Sequence, residues 1–356
     1  MYRTAGRLMV ATTNLERCSR LFAVDALRGI AAMAVVLFHY TTKFAELYGG
    51  NGSPSVSFAY GHYGVNLFFM VSGFVIFMTL ERTRQPMDFI VSRFSRLFPS
   101  YWVAVALTFT VVAWAGLPGK EVTAWQALGN GLMVHGLFGI PSVDGVYWTL
   151  EVELLFYAWM LLLFVTGNLH RVHLWLCGLM GLRLVYFAAA VGFGVDLSWT
   201  LSHLLLLKYI PWFALGICVY QMSQGAAAGR AMPTTVVAAL LVLVIVDGWR
   251  IGVLGGVFTL LVWAAATGRA TWLNNRVLVF LGAISYPLYL VHENIGWVVE
   301  RALQRLGWSF DSAVIMTTIL AIGLATLLTW TIERPAMRAI RARYARRGVV
   351  RPVKSQ

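Results

Sequence analysis

Ten runs of apolar residues constrain this chain more than any other feature of its sequence. A hydrocarbon layer about 30 Å thick needs roughly 20 apolar residues to cross it as a helix. Hydrophobic residues make up 59% of the 356 residues and charged residues only 12%, which excludes an ordinary soluble protein. The sequence predicts an all-α, polytopic integral membrane protein with spans at 24–43, 64–80, 98–116, 147–166, 173–194, 199–221, 234–248, 251–267, 277–298 and 312–332.

The distribution of lysine and arginine predicts the orientation of these spans. Cytoplasmic loops are enriched in both residues. With the N-terminus in the cytoplasm, 21 of the 28 basic residues fall on the cytoplasmic side and five on the other side. About ten spans, an even number, then place both termini in the cytoplasm. We predict a basic N-terminal segment at 1–23, one membrane domain at 24–333 and a basic tail at 334–356, in a bacterial-type inner or plasma membrane.

The charge and the cysteines exclude two classes of site. The net charge of +13 would suggest nucleic-acid binding in a soluble protein, but here it follows from the positive-inside distribution. We therefore predict no nucleic-acid partner and expect the basic tail to lie on anionic lipid. Cys18, Cys177 and Cys218 lack metal-ligand spacing, and His170 and His173 have no further ligands nearby. No metal site is predicted, and the oligomeric state is left open.

Arg28 and His39 are unusual residues for a membrane span. Eleven positions separate them, which is close to three helical turns, so both side chains project from one face roughly 16 Å apart. Ionisable residues are costly at such depth and are retained mostly where they face a cavity, a partner or a reaction. We interpret both as residues of a functional site.

Arg93 and Arg96 lie at the cytoplasmic edge of the third span. Pro99 suits the first turn of that helix, so the arginines are expected on the segment that leads into it. Side chains three positions apart share one side, and guanidinium groups suit phosphate oxygens. Positive-inside flanking is the alternative explanation for the same pair.

Two carboxylates interrupt the fourth span. Glu151 and Glu153 are two positions apart, about 200° around a helix, so they cannot both face one cavity. Both lie at a depth comparable with His39, which makes either one a candidate partner that orients a histidine base. In the second span, Asn66 and Ser72 are candidate pocket residues, although close helix packing also explains Ser72.

The ninth span contains Pro287, which we expect to break or kink the helix, followed by His292 and Glu293. A structural hydrogen-bonding role and a catalytic role are equal alternatives for these two residues.

Six short motifs follow one another in this chain. They are Leu27-Arg28-Gly29 with His39, Gly64 to Phe74, Arg93-x-x-Arg96-x-x-Pro99-x-Tyr101-Trp102, Trp148-Thr149-Leu150-x-x-Glu153-x-x-Phe156-Tyr157, Ser285-Tyr286-x-Leu288-Tyr289-Leu290-x-His292, and Glu333-x-Pro335. Each motif alone is weak, but the ordered set is specific. In this combination the chain resembles acyltransferase family 3, a family of membrane O-acyltransferases, from about Asp25 to Pro335.

The resemblance implies a ten-helix domain that transfers an acyl group, commonly acetyl, from cytoplasmic acyl-coenzyme A. The implied acceptor is a hydroxyl of an extracytoplasmic or membrane-associated carbohydrate or glycoconjugate. His39 matches the essential histidine and Glu153 its carboxylate partner, together the general base. Arg28, Arg93 and Arg96 match the arginines that the family associates with the donor. Further candidate pocket residues are Asn66, Ser72, Trp148, Tyr286, His292 and Glu333.

A transporter or flippase for a lipid-linked sugar or anionic solute is the alternative from another class. It would use Arg28, His39 and Glu153 as a translocation relay. Such proteins are commonly built from repeated halves with broken helices, and the sequence has no such repeat. We therefore expect an acyltransferase, with the outward loops 44–63 and 117–146 shaping the choice of acceptor.

Overall fold

The computed structural model describes residues 22–50, 52–194, 198–225 and 231–349. These residues form helices, turns and loops, and none of them lies in a β-strand. The all-α prediction is therefore confirmed for the described part of the chain. The basic segment predicted at 1–23 lies almost wholly outside the described residues, as do residues 350–356 of the predicted tail.

The helices of the described residues are numbered in chain order. They are α1 (Phe22–Tyr48), α2 (Gly64–Arg82), α3 (Pro86–Ala115), α4 (Ala124–Asn130), α5 (Trp148–Val165), α6 (Val172–Phe193), α7 (Trp199–Leu204), α8 (Ile210–Ser223), α9 (Ala231–Asp247), α10 (Trp249–Ala266), α11 (Arg276–Val291), α12 (Glu293–Arg305), α13 (Phe310–Leu328) and α14 (Arg334–Val349). One π-helical turn, Phe38–Lys43, lies inside α1, and another, Thr329–Glu333, joins α13 to α14.

The described part of the chain contains seven helical segments that are long and apolar enough to cross a membrane. They are Phe22–Tyr48, Ala59–Arg82, Pro86–Ala115, Gly145–Val165, Leu169–Phe193, Trp249–Ala266 and Phe310–Arg346. The pair α11 and α12, bent by 78°, would be an eighth, and α8 and α9 are shorter apolar helices. The chain is thus a polytopic membrane protein, and the count of about ten spans and the cytoplasmic termini stay predictions.

Three predicted helix boundaries were wrong for local reasons. The third span begins at Pro86 and not at residue 98, because Pro86 takes the first-turn position and Pro99 lies inside the helix. The sixth span is interrupted near Leu206, whose φ of 58° is left-handed and cannot continue an α-helix. The ninth span breaks at His292 and not at Pro287, which stays within α11.

The chain forms two compact units. The first takes in the chain up to Ala34, His62–Glu81 and Val152–Ala283. The second takes in Val35–Gly61, Arg82–Glu151 and the chain from Ile284. The unit boundaries fall inside α1, α5 and α11, so each of these three helices contributes to both units. The domain limits predicted at 24 and 333 stay predictions.

Close backbone contact at two glycines holds the first unit together. A Cβ atom at Gly73 of α2 would overlap the carbonyl oxygen of Phe213 of α8. Reciprocally, a Cβ atom at Gly216 of α8 would overlap the carbonyl oxygen of Met70 of α2. Small residues are the usual means of close helix approach in membranes, where lipid is as apolar as the helix surface.

Buried polar residues of the first unit have partners nearby. Arg183 of α6 donates from Nη2 to both carboxylate oxygens of Asp247, at 2.7 and 2.8 Å. His173 bonds to the Thr235 hydroxyl at 3.0 Å through Nδ1 and to the Gln221 amide oxygen at 2.8 Å through Nε2. Pairing lowers the cost of polar groups at membrane depth, so these contacts are structural.

The second unit is tied together by tyrosine hydroxyls that donate to backbone carbonyls. Tyr286 of α11 donates to the Leu97 carbonyl of α3 at 2.8 Å. Tyr101 of α3 donates to the Asn130 carbonyl at the end of α4 at 2.8 Å. The short helix α4 lies within the loop predicted at 117–146 and begins with a capping box made by Thr123 and Gln126.

Replacing Gly216 with alanine is expected to lower the stability of the first unit. The added methyl group would overpack the α2 and α8 crossing, which costs about 1–3 kcal/mol. Gly178 of α6 is the matched control, because a Cβ atom there meets nothing within 4 Å. Thermal unfolding in detergent measures both variants. A Gly216→Ala protein as stable as Gly178→Ala would contradict the proposed crossing.

Candidate active site

His39 lies in the π-helical turn Phe38–Lys43 of α1, within the second unit. Such turns are rare and occur frequently at functional sites. The carbonyl oxygen of His39 accepts the backbone N–H of Phe44 and also the indole N–H of Trp297, the latter at 3.1 Å. The backbone of the turn is therefore held from α12 as well as from its own helix.

A chain of hydrogen bonds links His39 to His292. Nδ1 of His292 lies 2.8 Å from the carbonyl oxygen of Tyr289 and 3.2 Å from that of Leu288. Carbonyl oxygens only accept, so Nδ1 of His292 carries a proton and Nε2 of the neutral ring is an acceptor. Nε2 lies 3.1 Å from Nδ1 of His39, which also faces the carbonyl oxygen of Val35 at 2.9 Å.

These partners determine the tautomer of His39. Nδ1 faces two acceptors and must carry the proton, which leaves the lone pair of the neutral ring on Nε2. The His39 side chain is 13% exposed, whereas His292 is fully buried. His39 therefore presents an unprotonated nitrogen, and His292 keeps it in that form.

Glu293, the first residue of α12, faces the free nitrogen of His39. Its Oε2 lies 3.6 Å from Nε2 of His39, and its Oε1 lies 3.6 Å from the Lys120 ammonium. Lys120 also lies 4.9 Å from the centre of the Trp297 ring. A Cβ atom at residue 145 would overlap the Glu293 carboxylate, so Gly145 makes room for it. A carboxylate here can stabilise a protonated His39 electrostatically.

The loop between α3 and α5 fixes the start of α12. Asp144 is fully buried. Its Oδ2 accepts a hydrogen bond from the backbone N–H of Asn294 at 3.1 Å, and its Oδ1 accepts one from the backbone N–H of Val146 at 3.3 Å. Asn294 in turn donates from its side chain to the Val143 carbonyl at 2.8 Å. Burial raises the pKa of the Asp144 carboxyl, while the two N–H donors act in the opposite direction.

Glu153 lies in the first unit and has different neighbours. Its Oε1 accepts a short hydrogen bond from the hydroxyl of Ser72 and another from Tyr157 at 2.6 Å. The structure thus brings together two of the predicted residues, Glu153 and Ser72. The carboxylate beside His39 is Glu293, and the predicted pairing of His39 with Glu153 stays a prediction. Glu151 accepts the backbone N–H of Gly136 at 3.0 Å, so the two glutamates have separate partners, as their spacing indicates.

The predicted donor arginines occupy both units. Arg28 of α1 lies 3.6 Å from the Asp25 carboxylate in the first unit. Arg93 and Arg96 lie half-buried on α3 in the second unit, where Arg93 stands over the Phe89 ring at 5.8 Å. The two α3 arginines therefore lie on one helix, as predicted, but inside it and not before it.

The remaining predicted residues have four different settings. Asn66 is half-buried on α2 and makes no side-chain hydrogen bond to the described residues. Trp148 is exposed at the first position of α5. Tyr286 of α11 is buried, and its hydroxyl donates to the Leu97 carbonyl of α3. Glu333 is buried in the π-helical turn Thr329–Glu333.

Sequence reasoning missed three residues that surround His39. For Glu293 the sequence leaves a structural role and a catalytic role open and does not place it next to His39. Trp297 follows Glu293 by one helical turn, so both lie on one face of α12. Lys120 stands in a loop, where no periodicity indicates its direction. Among the residues that the structure describes, no group of three or more His, Cys, Asp and Glu side chains could hold a metal ion.

Comparison with known protein families gives one match of wide coverage. A family model described as an acyltransferase domain matches residues 21–334. That range contains all six of the ordered motifs apart from Pro335. No solved structure matches the chain.

Several curated proteins are similar over much of their length. The exopolysaccharide production protein ExoZ of Rhizobium meliloti is 28% identical over 325 residues, covering 82% of this chain and 94% of that protein. The acyltransferase MdmB of Streptomyces mycarofaciens is 25% identical, covering 91% of this chain and 93% of that protein. The peptidoglycan O-acetyltransferase OatA of Listeria monocytogenes is 25% identical over 42% of this chain and 25% of its own length.

Replacing Asp144 with alanine is expected to destabilise the start of α12. Two buried backbone N–H groups lose their acceptor, a loss comparable with removing a helix cap, about 1–2 kcal/mol. Asp144→Asn keeps a carbonyl oxygen and should retain most of the stability. Thermal unfolding in detergent compares the two, and an unchanged melting temperature for Asp144→Ala would show that the carboxyl does not hold α12.

Proposed function

Because this chain belongs to acyltransferase family 3, the membrane O-acyltransferases, we propose that it transfers an acyl group from acyl-coenzyme A to a carbohydrate hydroxyl. The names of two relatives, an exopolysaccharide production protein and a peptidoglycan O-acetyltransferase, support a carbohydrate or glycoconjugate acceptor. In our proposal the donor, with acetyl expected, arrives from the cytoplasm of a bacterial-type cell. The acceptor is extracytoplasmic or membrane-associated, and the protein resides in the inner or plasma membrane.

The observation that carries this proposal is the hydrogen-bond chain through His292. It leaves Nε2 of His39 unprotonated, on a side chain that is 13% exposed beside the buried His292. A general base needs this arrangement, since it must meet the proton that it removes. A purely structural histidine would have both nitrogens bonded inside the fold.

In the proposed reaction His39 acts first as base and then as acid. Nε2 removes the proton of the acceptor hydroxyl while the hydroxyl oxygen attacks the thioester carbonyl carbon. The new ester C–O bond forms and the C–S bond breaks. His39 then returns the proton to the departing sulfur of coenzyme A, so the ring is neutral again at the end of the cycle.

Two carboxylates are candidates for stabilising the protonated His39. Glu293 is supported by its distance of 3.6 Å from Nε2 of His39. Glu153 is supported by its match to the family motif. Glu293 fits the electrostatic role because His39 gains a positive charge next to it during the reaction. On the motif alone, Glu153 is proposed as the partner of His39, and the variant Glu153→Gln tests this assignment.

The second unit also indicates how far the donor must extend from the arginines of α3 toward His39. The Leu97 carbonyl, next to Arg96, accepts the Tyr286 hydroxyl, and His292 follows Tyr286 by six residues, directly after the end of α11. Six residues correspond to about 9 Å of helix. The pantetheine arm of coenzyme A is long enough to bridge such a separation. In our proposal Arg93 and Arg96 bind the nucleotide phosphates, Arg28 assists, and the thioester reaches His39.

Replacing His39 with alanine is expected to reduce acyl transfer by about 10²–10⁴-fold, the usual contribution of a general base. His170, exposed in the loop before α6, provides the matched control His170→Ala. Mass spectrometry of surface glycans from cells with each variant measures the product as a mass increase of one acyl group. Labelled acetyl-coenzyme A measures donor use by the purified protein.

Full activity in a folded His39→Ala protein would contradict the base assignment. Solute uptake without any use of acetyl-coenzyme A by the wild type would favour the transporter instead.

Glu293→Gln and Glu153→Gln distinguish the two carboxylate assignments. If Glu293 stabilises protonated His39, its amide variant should have a lower kcat than the wild type, because the charge next to the ring is removed. Glu153→Gln keeps hydrogen-bonding atoms for Ser72 and Tyr157 and should lose less. Steady-state kinetics with acetyl-coenzyme A compares them. A larger loss in Glu153→Gln would favour the motif-based pairing.

A further inference from the structure

The tail helix α14 is packed against the beginning of α3. Tyr344 donates its hydroxyl to the Asp88 carboxylate at 2.8 Å. One turn earlier in α14, Arg341 donates from Nε to the Ser95 hydroxyl at 3.2 Å and from Nη2 to the Ser92 carbonyl at 3.4 Å. The contacts run in opposite chain directions, so α14 lies antiparallel along α3. The C-terminal helix is thus attached to a definite site in the second unit.

This attachment brings three guanidinium groups together. Ser92 is a shared neighbour, because its hydroxyl oxygen lies 3.4 Å from Nη2 of Arg93 and its carbonyl oxygen 3.4 Å from Nη2 of Arg341. Arg93 and Arg96 both act on Arg341 electrostatically. Arg341 is exposed, and Arg93 and Arg96 are half-buried, so the group can be reached from the aqueous side.

Neutral oxygens hold Arg341 in this position. Both of its hydrogen bonds go to a hydroxyl and a carbonyl, and no carboxylate of the described residues lies within ion-pair distance of Arg341 or Arg96. The nearest acidic contact between the two helices, Asp88, is bonded to Tyr344. Arg93 and Arg96 both disfavour the charge on Arg341, and a bound polyanion would offset that effect. Guanidinium groups also bind phosphate oxygens in a bidentate manner.

From this arrangement we propose that Arg341 joins Arg93 and Arg96 in one phosphate-binding site for the nucleotide end of coenzyme A. This inference rests on the proposed function, which supplies the donor. The sequence predicts Arg93 and Arg96 as donor residues and assigns the tail to the lipid surface. The contacts with Ser92 and Ser95 instead give one tail arginine a direct role in the site.

The test is the donor dependence of transfer by full-length protein in neutral phosphatidylcholine nanodiscs. Arg341→Gln removes the charge but keeps a side chain that can bond to Ser95, so it should fold. We expect its KM for acetyl-coenzyme A to rise about tenfold or more with kcat little changed. The KM of Arg341→Lys should lie between those of Arg341→Gln and the wild type, since lysine has the charge without the planar guanidinium group. Arg343→Ala, on an exposed position of the same helix, should match wild type.

Phosphate could also come from lipid headgroups, and a second arm separates that source. Binding of each variant to vesicles with and without phosphatidylglycerol is measured by sedimentation. If Arg341→Gln loses vesicle binding and keeps the wild-type KM, the site binds lipid and the inference is overturned. An unchanged KM with unchanged vesicle binding overturns it as well. A wild type that does not use acetyl-coenzyme A overturns the proposed function itself, which is a distinct result.

Discussion

The interaction on which the rest of the active site depends is the hydrogen bond between His292 and His39. His292 stands at the 78° bend between α11 and α12. Backbone carbonyls of α11 fix the proton on Nδ1 of His292. Nε2 of His292 therefore accepts a hydrogen bond from Nδ1 of His39. A membrane site has little water to adjust protonation, so the protein backbone sets it instead.

Several polar groups of the helices are matched with a near neighbour. Arg183 meets Asp247, Glu153 meets Ser72 and Tyr157, and the buried Asp144 accepts two N–H groups. The cost of an unmatched polar group in hydrocarbon explains this pairing. The arrangement at His39 is different, because its Nε2 lies 3.6 Å from a carboxylate oxygen, beyond hydrogen-bond distance.

Much of this fold was predictable from sequence, since long apolar runs cross a membrane as helices, in which all backbone hydrogen bonds are made within the segment. The placement of His39 on a helix was predictable for the same reason, whereas Arg93 and Arg96 were expected before the third helix and lie inside it. The break at His292 was not, because proline is the usual signal and Pro287 is tolerated within α11. Glu293 and Lys120 reach His39 through a bend and a loop, and periodicity gives no information about either. The ordered motifs identified the family, yet they could not show which carboxylate stands next to the histidine.

The π-helical turn around His39 has a consequence for how this helix can change over time. A π turn accommodates one more residue between hydrogen-bonded groups than an α turn does. Loss of one residue between Phe38 and Lys43 would restore ordinary α-helical winding, and the change in side-chain direction would be concentrated in the turn that carries His39. Insertions and deletions are usually confined to loops, but here a single-residue length change inside a membrane helix would re-aim the reactive ring. Relatives that differ in length at this position would therefore differ in chemistry before they differ in fold.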